Sequence, residues 1–266
     1  MSTGADSMKS IIYALTANFA IAVAKMGAAV TTGSGAMLAE SIHSFADCGN
    51  QLLLLLGLRS AKRPPSLDHP LGYGKSIYFW SFIVAIMLFS MGGLFSIYEG
   101  VHKLDSTEPL NQPLIAVGVL VFAIAAEGLS LMGCIKEVNK VRDGRSFWQW
   151  FQDTRQSELL VIFGEDLAAL FGLVFALAAV SLAMITGNSM YDAVGSIGIG
   201  VLLIIIAIFI GIEIKALIIG QGVEPKTLES MRRFLAEQEE VEEVYNLLTL
   251  QTVSYTHLRA HETDSY

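Results

Sequence analysis

A histidine and an aspartate four residues apart, His43 and Asp47, lie within the apolar stretch from Ala39 to Gly57, AESIHSFADCGNQLLLLLG. At 3.6 residues per turn they share a helix face with Asn50, and Glu40 stands near the outer end of the same stripe. Other apolar runs carry Asp166 with Glu165 beside it, Glu127 followed by Ser130 and Cys134, and Asn18, Lys25 and Thr32 at intervals of seven. Ionisable groups are costly in hydrocarbon, so they face a bundle interior or a wet cavity and mark an ion or proton path. The plainer alternative is helix-to-helix glue, which seldom needs three titratable groups. Neutral imidazole and carboxylates suit a divalent first-row cation, zinc in particular, whereas calcium or magnesium prefers an all-oxygen shell.

The elements that must position these groups follow from composition. With 53% apolar residues, 16% charged residues and a mean hydropathy of +0.54, the chain reads as a polytopic membrane protein. A spanning helix needs about 20 apolar residues, and six runs qualify: 11–31, 36–58, 77–98, 113–135, 159–185 and 193–212. The connections after the second and fourth runs are rich in Lys and Arg, while those on the opposite side hold only Lys103. The positive-inside rule therefore places both termini in the cytoplasm, with a bacterial inner membrane as the expected host. Seven of the 25 acids lie in residues 224–243, where EPKTLESMRRFLAEQ reads as a helix with Leu228, Met231 and Leu235 on one face. EVYNLLTLQ then reads as a strand. The expected fold is an all-α polytopic membrane protein, a six-transmembrane-helix bundle over residues 1–212, followed by a truncated cytoplasmic α+β domain over 213–252. Cys48 and Cys134 read as packing residues, FWQWFQ as an interfacial anchor, and Gly195, Gly198 and Gly200 as sites of close helix approach.

GSGAMLAESIHSFADCGNQ, the loop HPLGYGK and YDAVGSIGIGVLL resemble the cation diffusion facilitator family of zinc transporters, over about residues 11 to 250. The resemblance implies a four-ligand site from the second and fifth spans, metal exchanged for protons, and a homodimer in the lipid bilayer with a cytoplasmic domain. By position, His43 and Asp47 match the second-span ligands and Asp166 the last fifth-span ligand, while Ile162 stands where the fourth usually is. The missing ligand would come from water, from another helix, or from Glu165, which lies about 100° round the helix from Asp166. A histidine at 162 would be expected to project beside Asp166. Such an open site would admit Mn2+, Co2+, Fe2+ or Cd2+ besides Zn2+. The ED pair, with Glu127 and Lys25, is similar to a divergent branch that includes an organellar zinc transporter. Lys25 is expected to pair with Glu127, and Asn50 to join the same charge network. Asp68 and His69 are a possible loop site, although Tyr73 stands where many members have histidine.

The expected function is zinc efflux by metal/proton antiport with alternating access, with no bound cofactor and no nucleic-acid partner. A passive cation channel is the alternative. An intramembrane metalloenzyme is less favoured, since the chain has no HExxH and no assignable nucleophile and base. The final residues, VSYTHLRAHETDSY, resemble a translated sequencing-adapter tail, so residues 253–266, including His257 and His261, are excluded from fold reasoning.

Overall fold

The computed structural model describes residues 3–104, 110–238, 241 and 243–250, with side chains from residue 15 onward, Ala17 excepted. Eight helices are found among them: α1 (Thr3–Thr32), α2 (Gly35–Ala61), α3 (Ser76–Leu104), α4 (Pro113–Val141), α5 (Phe147–Asp153), α6 (Ser157–Thr186), α7 (Met190–Ile219) and α8 (Pro225–Ala236). Their ends follow local chemistry. Gly33, at φ +69°, turns the chain after α1, and the Ser34 hydroxyl accepts from the Met37 amide at 3.1 Å to cap α2. Ser146 and Gln149 form a reciprocal capping box on α5.

Four helices, α3, α4, α6 and α7, are each long and apolar enough to cross a membrane, with window hydropathies of 2.0 to 2.9. The other two long helices, α1 and α2, pack against each other and into the same bundle. The stripe Glu40, His43, Asp47 and Asn50 runs through the middle of α2.

Two helix pairs approach through glycine. A Cβ on Gly200 of α7 would stand 2.6 Å from the Gly93 carbonyl oxygen and 2.8 Å from the Ile97 nitrogen, and one on Gly100 of α3 would stand 2.7 Å from the Ala193 oxygen. α3 and α7 thus meet backbone to backbone. Gly195 faces Ala179 of α6 with no room for a methyl group, while Gly198 has only ordinary contacts, 3.6 Å from Phe175. Of Gly195, Gly198 and Gly200 on α7, two therefore serve close packing.

At one end of the bundle Asp192, 1% exposed, ties α7 to the start of α2. Its carboxylate accepts from the Ser34 hydroxyl at 2.5 Å and the Gly35 and Ala36 amides at 2.6 and 3.4 Å. A carboxylate on the first turn satisfies donors that lack helical partners and complements the helix dipole. At the other end the basic connections hold the segment after α7. Arg145 pairs with Glu224 at 2.8 Å, Arg155 donates to the Gly222 carbonyl at 2.8 Å, and Lys226 pairs with Asp143 at 3.1 Å.

The aromatic run is more than a surface anchor. Trp150 is 1% exposed and packs with Cys134, Val138 and Phe163 between α4 and α6, whereas Trp148 is 56% exposed beside Phe209. Both cysteines are free and buried. Helix α8 forms as expected. The strand expected over EVYNLLTLQ is not found: no strand occurs among the described residues, and 243–250 instead runs beside α8 and returns to the α7 exit, where the Thr249 hydroxyl accepts from the Val223 amide at 3.2 Å. A lone extended segment has no ladder to join. The tail from 253 lies outside the described residues.

The glycine contacts give a direct test. In Gly200→Ala the new methyl meets backbone that cannot turn aside, at a cost of about 2 kcal/mol or more. Gly198→Ala should stay within about 1 kcal/mol of the parent, since alanine is the better helix former. Thermal unfolding in detergent should separate the two; equal melting temperatures would contradict the backbone contact.

Candidate metal site

Asp47, in the polar stripe of α2, faces a cavity of about 20 Å³, room for one small ion or water. Helix α2 contributes Ser44, Asp47 and Gln51 to its wall, α6 contributes Glu165, Asp166 and Ala169, and α1 and α4 add Asn18 and Glu127. Four carboxylates thus border one small space. The two α6 acids reach it from different sides. Glu165 turns toward α2 and accepts from the Asn50 side-chain amide at 2.5 Å, while Asp166 turns toward α4 and accepts from the Ser130 hydroxyl at 3.2 Å. The 100° between neighbouring residues, which on a straight reading separates Glu165 from the site, here lets the pair straddle the cavity.

His43 is fully buried and does not line the cavity, its Nε2 3.6 Å from Asp47 Oδ2 and too far for a hydrogen bond. Both of its ring nitrogens lack a hydrogen-bond partner, as do Asp47 Oδ1 and Asn50 Oδ1. Buried polar atoms are rarely left so. Orphaned acceptors on His, Asp and Asn beside a carboxylate-lined cavity are the donor set a divalent cation takes up. Among the described residues, however, no three His, Cys, Asp or Glu side chains already converge as a ligand set. Metal binding would need the side chains to draw together.

A local irregularity positions His43. Residues Leu88–Leu94 of α3 form a π-helical turn, a distortion often found at functional sites. It places Gly92 against the imidazole: a Cβ there would lie 3.5 Å from His43 Nδ1 and 3.1 Å from Leu203 Cδ1.

The remaining expected residues divide. Lys25 does not pair with Glu127. Its ammonium lies 3.3 Å from Glu40 and donates to the Ser44 hydroxyl at 2.7 Å, because Glu40 and Ser44 of the adjacent helix are within its reach. Glu127 instead borders the cavity. Ile162 is 39% exposed and forms no part of the cavity wall. Asp68 and His69 are exposed; the His69 ring stacks on Tyr73 at 4.3 Å and its backbone amide donates to Ser66, so the loop is held by stacking. Sequence reasoning overlooked Ser44 and Gln51, although both lie within about one turn of Asp47 on its helix, and Asp192, an acid at the start of an apolar run.

Comparison with known proteins agrees with this architecture. Residues 11–218 match the model of the cation efflux transmembrane domain, and the chain belongs to that family. A Xenopus laevis protein named proton-coupled zinc antiporter SLC30A9, mitochondrial, is 33% identical over 241 residues, covering 90% of this chain and 43% of that protein. Metal tolerance protein C4 of Arabidopsis thaliana is 34% identical over 243 residues, covering 90% and 53%. The human protein with the same name as the frog one is 31% identical over 241 residues, covering 90% and 42%. The chain spans about half the length of these curated relatives.

The π-turn contact yields a prediction. A methyl group at Gly92 would meet the imidazole only in ordinary contact, so the test is a larger side chain: Gly92→Leu should crowd His43 and weaken zinc binding by about tenfold, the usual scale for disturbing a ligand's support. Gly118→Ala, where a methyl group meets nothing within 4 Å, should bind as the parent does. Competition with a chelating dye would measure both; equal affinities would remove Gly92 from the site.

Proposed function

We propose that the chain is a divalent-cation transporter that moves zinc across a membrane in exchange for protons, by alternating access. The observation that carries this reading is the ion-sized cavity walled by Asp47, Glu127, Glu165 and Asp166, with orphaned nitrogens of His43 behind Asp47, one of them 3.6 Å from its carboxylate. Its ligands must shed protons to bind metal, so metal and protons compete for the same side chains. Loaded from one side and protonated from a more acidic other side, the site releases its ion. Family membership and the relatives' names support the cargo and the coupling. Asp47, Asp166 and His43 are assigned as ligands, with Glu165 as the fourth; Asn50 and Ser130 orient the α6 acids, and Glu127 completes the negative field.

Six crossings, by α1, α2, α3, α4, α6 and α7, put both termini and the clamped basic connections on the metal-loading side. The membrane is a proton-pumping one, bacterial or mitochondrial. Helix α8, which buries none of its residues and exposes Phe234, is assigned to a cytoplasmic homodimer contact. An ion-sized space bordered by four carboxylates suits a carrier better than a channel, which favours several weak sites.

Purified protein in liposomes should take up zinc when the lumen is more acidic than the bath, and should acidify the bath, its source side, as it does so. Asp47→Ala should lower that flux by about tenfold or more without preventing membrane insertion. Zinc flux that persists with no proton counterflow would mean a channel. Near-normal flux in Asp47→Ala would remove the cavity from the pathway.

A further inference from the structure

The transport scheme leaves two buried charges unused. Lys25 and Glu40 are both fully buried, with Nζ 3.3 Å from Oε2. A buried pair of this kind seldom adds stability over an apolar replacement, so its presence asks for another reason. Two observations supply one. Lys25 Nζ also donates to the Ser44 hydroxyl at 2.7 Å, and Ser44 is part of the cavity wall together with Asp47, one turn further along α2. The ammonium is therefore one hydroxyl away from the proposed metal position. On its other side, Glu40 Oε1 is buried without a hydrogen-bond partner, packed where any side chain on Gly172 of α6 would collide with it. Glu40 thus holds an acceptor in reserve.

Resting on the transport reading above, we propose that Lys25 is a tethered cation of the metal cavity. Held between Glu40 and Ser44, its ammonium stands one hydroxyl from the cavity and partly neutralises the carboxylate cluster. With metal present, like charges repel and the ammonium withdraws onto Glu40, whose free oxygen receives it. A lysine suits this task, being a compact point charge on a flexible stem. The effect is to hold metal affinity below what four carboxylates alone would give, so that the ion leaves.

The test is a double-mutant cycle on the full chain at fixed pH, with zinc affinity read by dye competition and folding by thermal unfolding. Lys25→Met should tighten zinc binding by about tenfold, since a positive charge beside a dication is removed. Glu40→Gln should weaken it by a similar factor, because the ammonium loses its place of retreat. When Glu40→Gln is added to Lys25→Met, it should change affinity less than about twofold. If Lys25→Met alone does not fold, the uncharged pair Lys25→Met with Glu40→Gln replaces it and should still bind zinc more tightly than the parent. Weaker or unchanged binding without Lys25, or an equal effect of Glu40→Gln in both backgrounds, would overturn the proposal. Parent protein that carries zinc normally while the cycle shows no coupling refutes the tethered cation alone; parent protein that carries no zinc refutes the transport reading itself.

Discussion

A charge placed inside an apolar bundle must be answered by another group, and nearly every polar feature of this chain is arranged by that requirement. Asp192 is answered by the hydroxyl and amides at the head of α2, and Lys25 by Glu40 and Ser44. The acids around the cavity are answered only in part. Asn50 and Ser130 each satisfy one oxygen of an α6 carboxylate, and Asp47 keeps a buried oxygen with no partner. Glu40 too keeps one unpartnered oxygen, so the unanswered atoms lie along one stripe of α2, from Glu40 through His43 and Asp47 to Asn50.

The bundle also divides its labour. α3 and α7 touch through backbone at Gly93, Gly100 and Gly200, which leaves little freedom for either to change its packing. The cavity is walled instead by α1, α2, α4 and α6, whose side chains meet across a small polar space. The π-turn of α3 is where the two groups communicate, since the turn that departs from regular helix is the one facing His43.

Much of this was legible in the residues themselves. The apolar runs marked the six long helices, but the structure extends four of them by six or more residues, because hydropathy ends before hydrogen bonding does. The period of α2 brought His43, Asp47 and Asn50 to one face. Pairing between helices was harder to read. Lys25 could have met any acid in the bundle, and which one depends on the neighbour, so Glu40 was passed over for Glu127. Glu165 stood about 100° away from the site in a single-helix projection, which does not show that α2 and α4 approach α6 from different directions. The strand over 243–250 failed for a related reason: a strand is defined by its partner, and alternation in one segment does not provide one.

The tie between Asp192 and the first turn of α2 makes that end of the helix a pivot. Asp47 stands twelve residues beyond Gly35, a lever arm of about 18 Å at the helical rise. Rocking α2 by about 10° around the tie carries the Asp47 carboxylate about 3 Å, more than the length of a zinc–oxygen bond. An anchor this far from the cavity converts a small change of tilt into the making or breaking of a coordination shell.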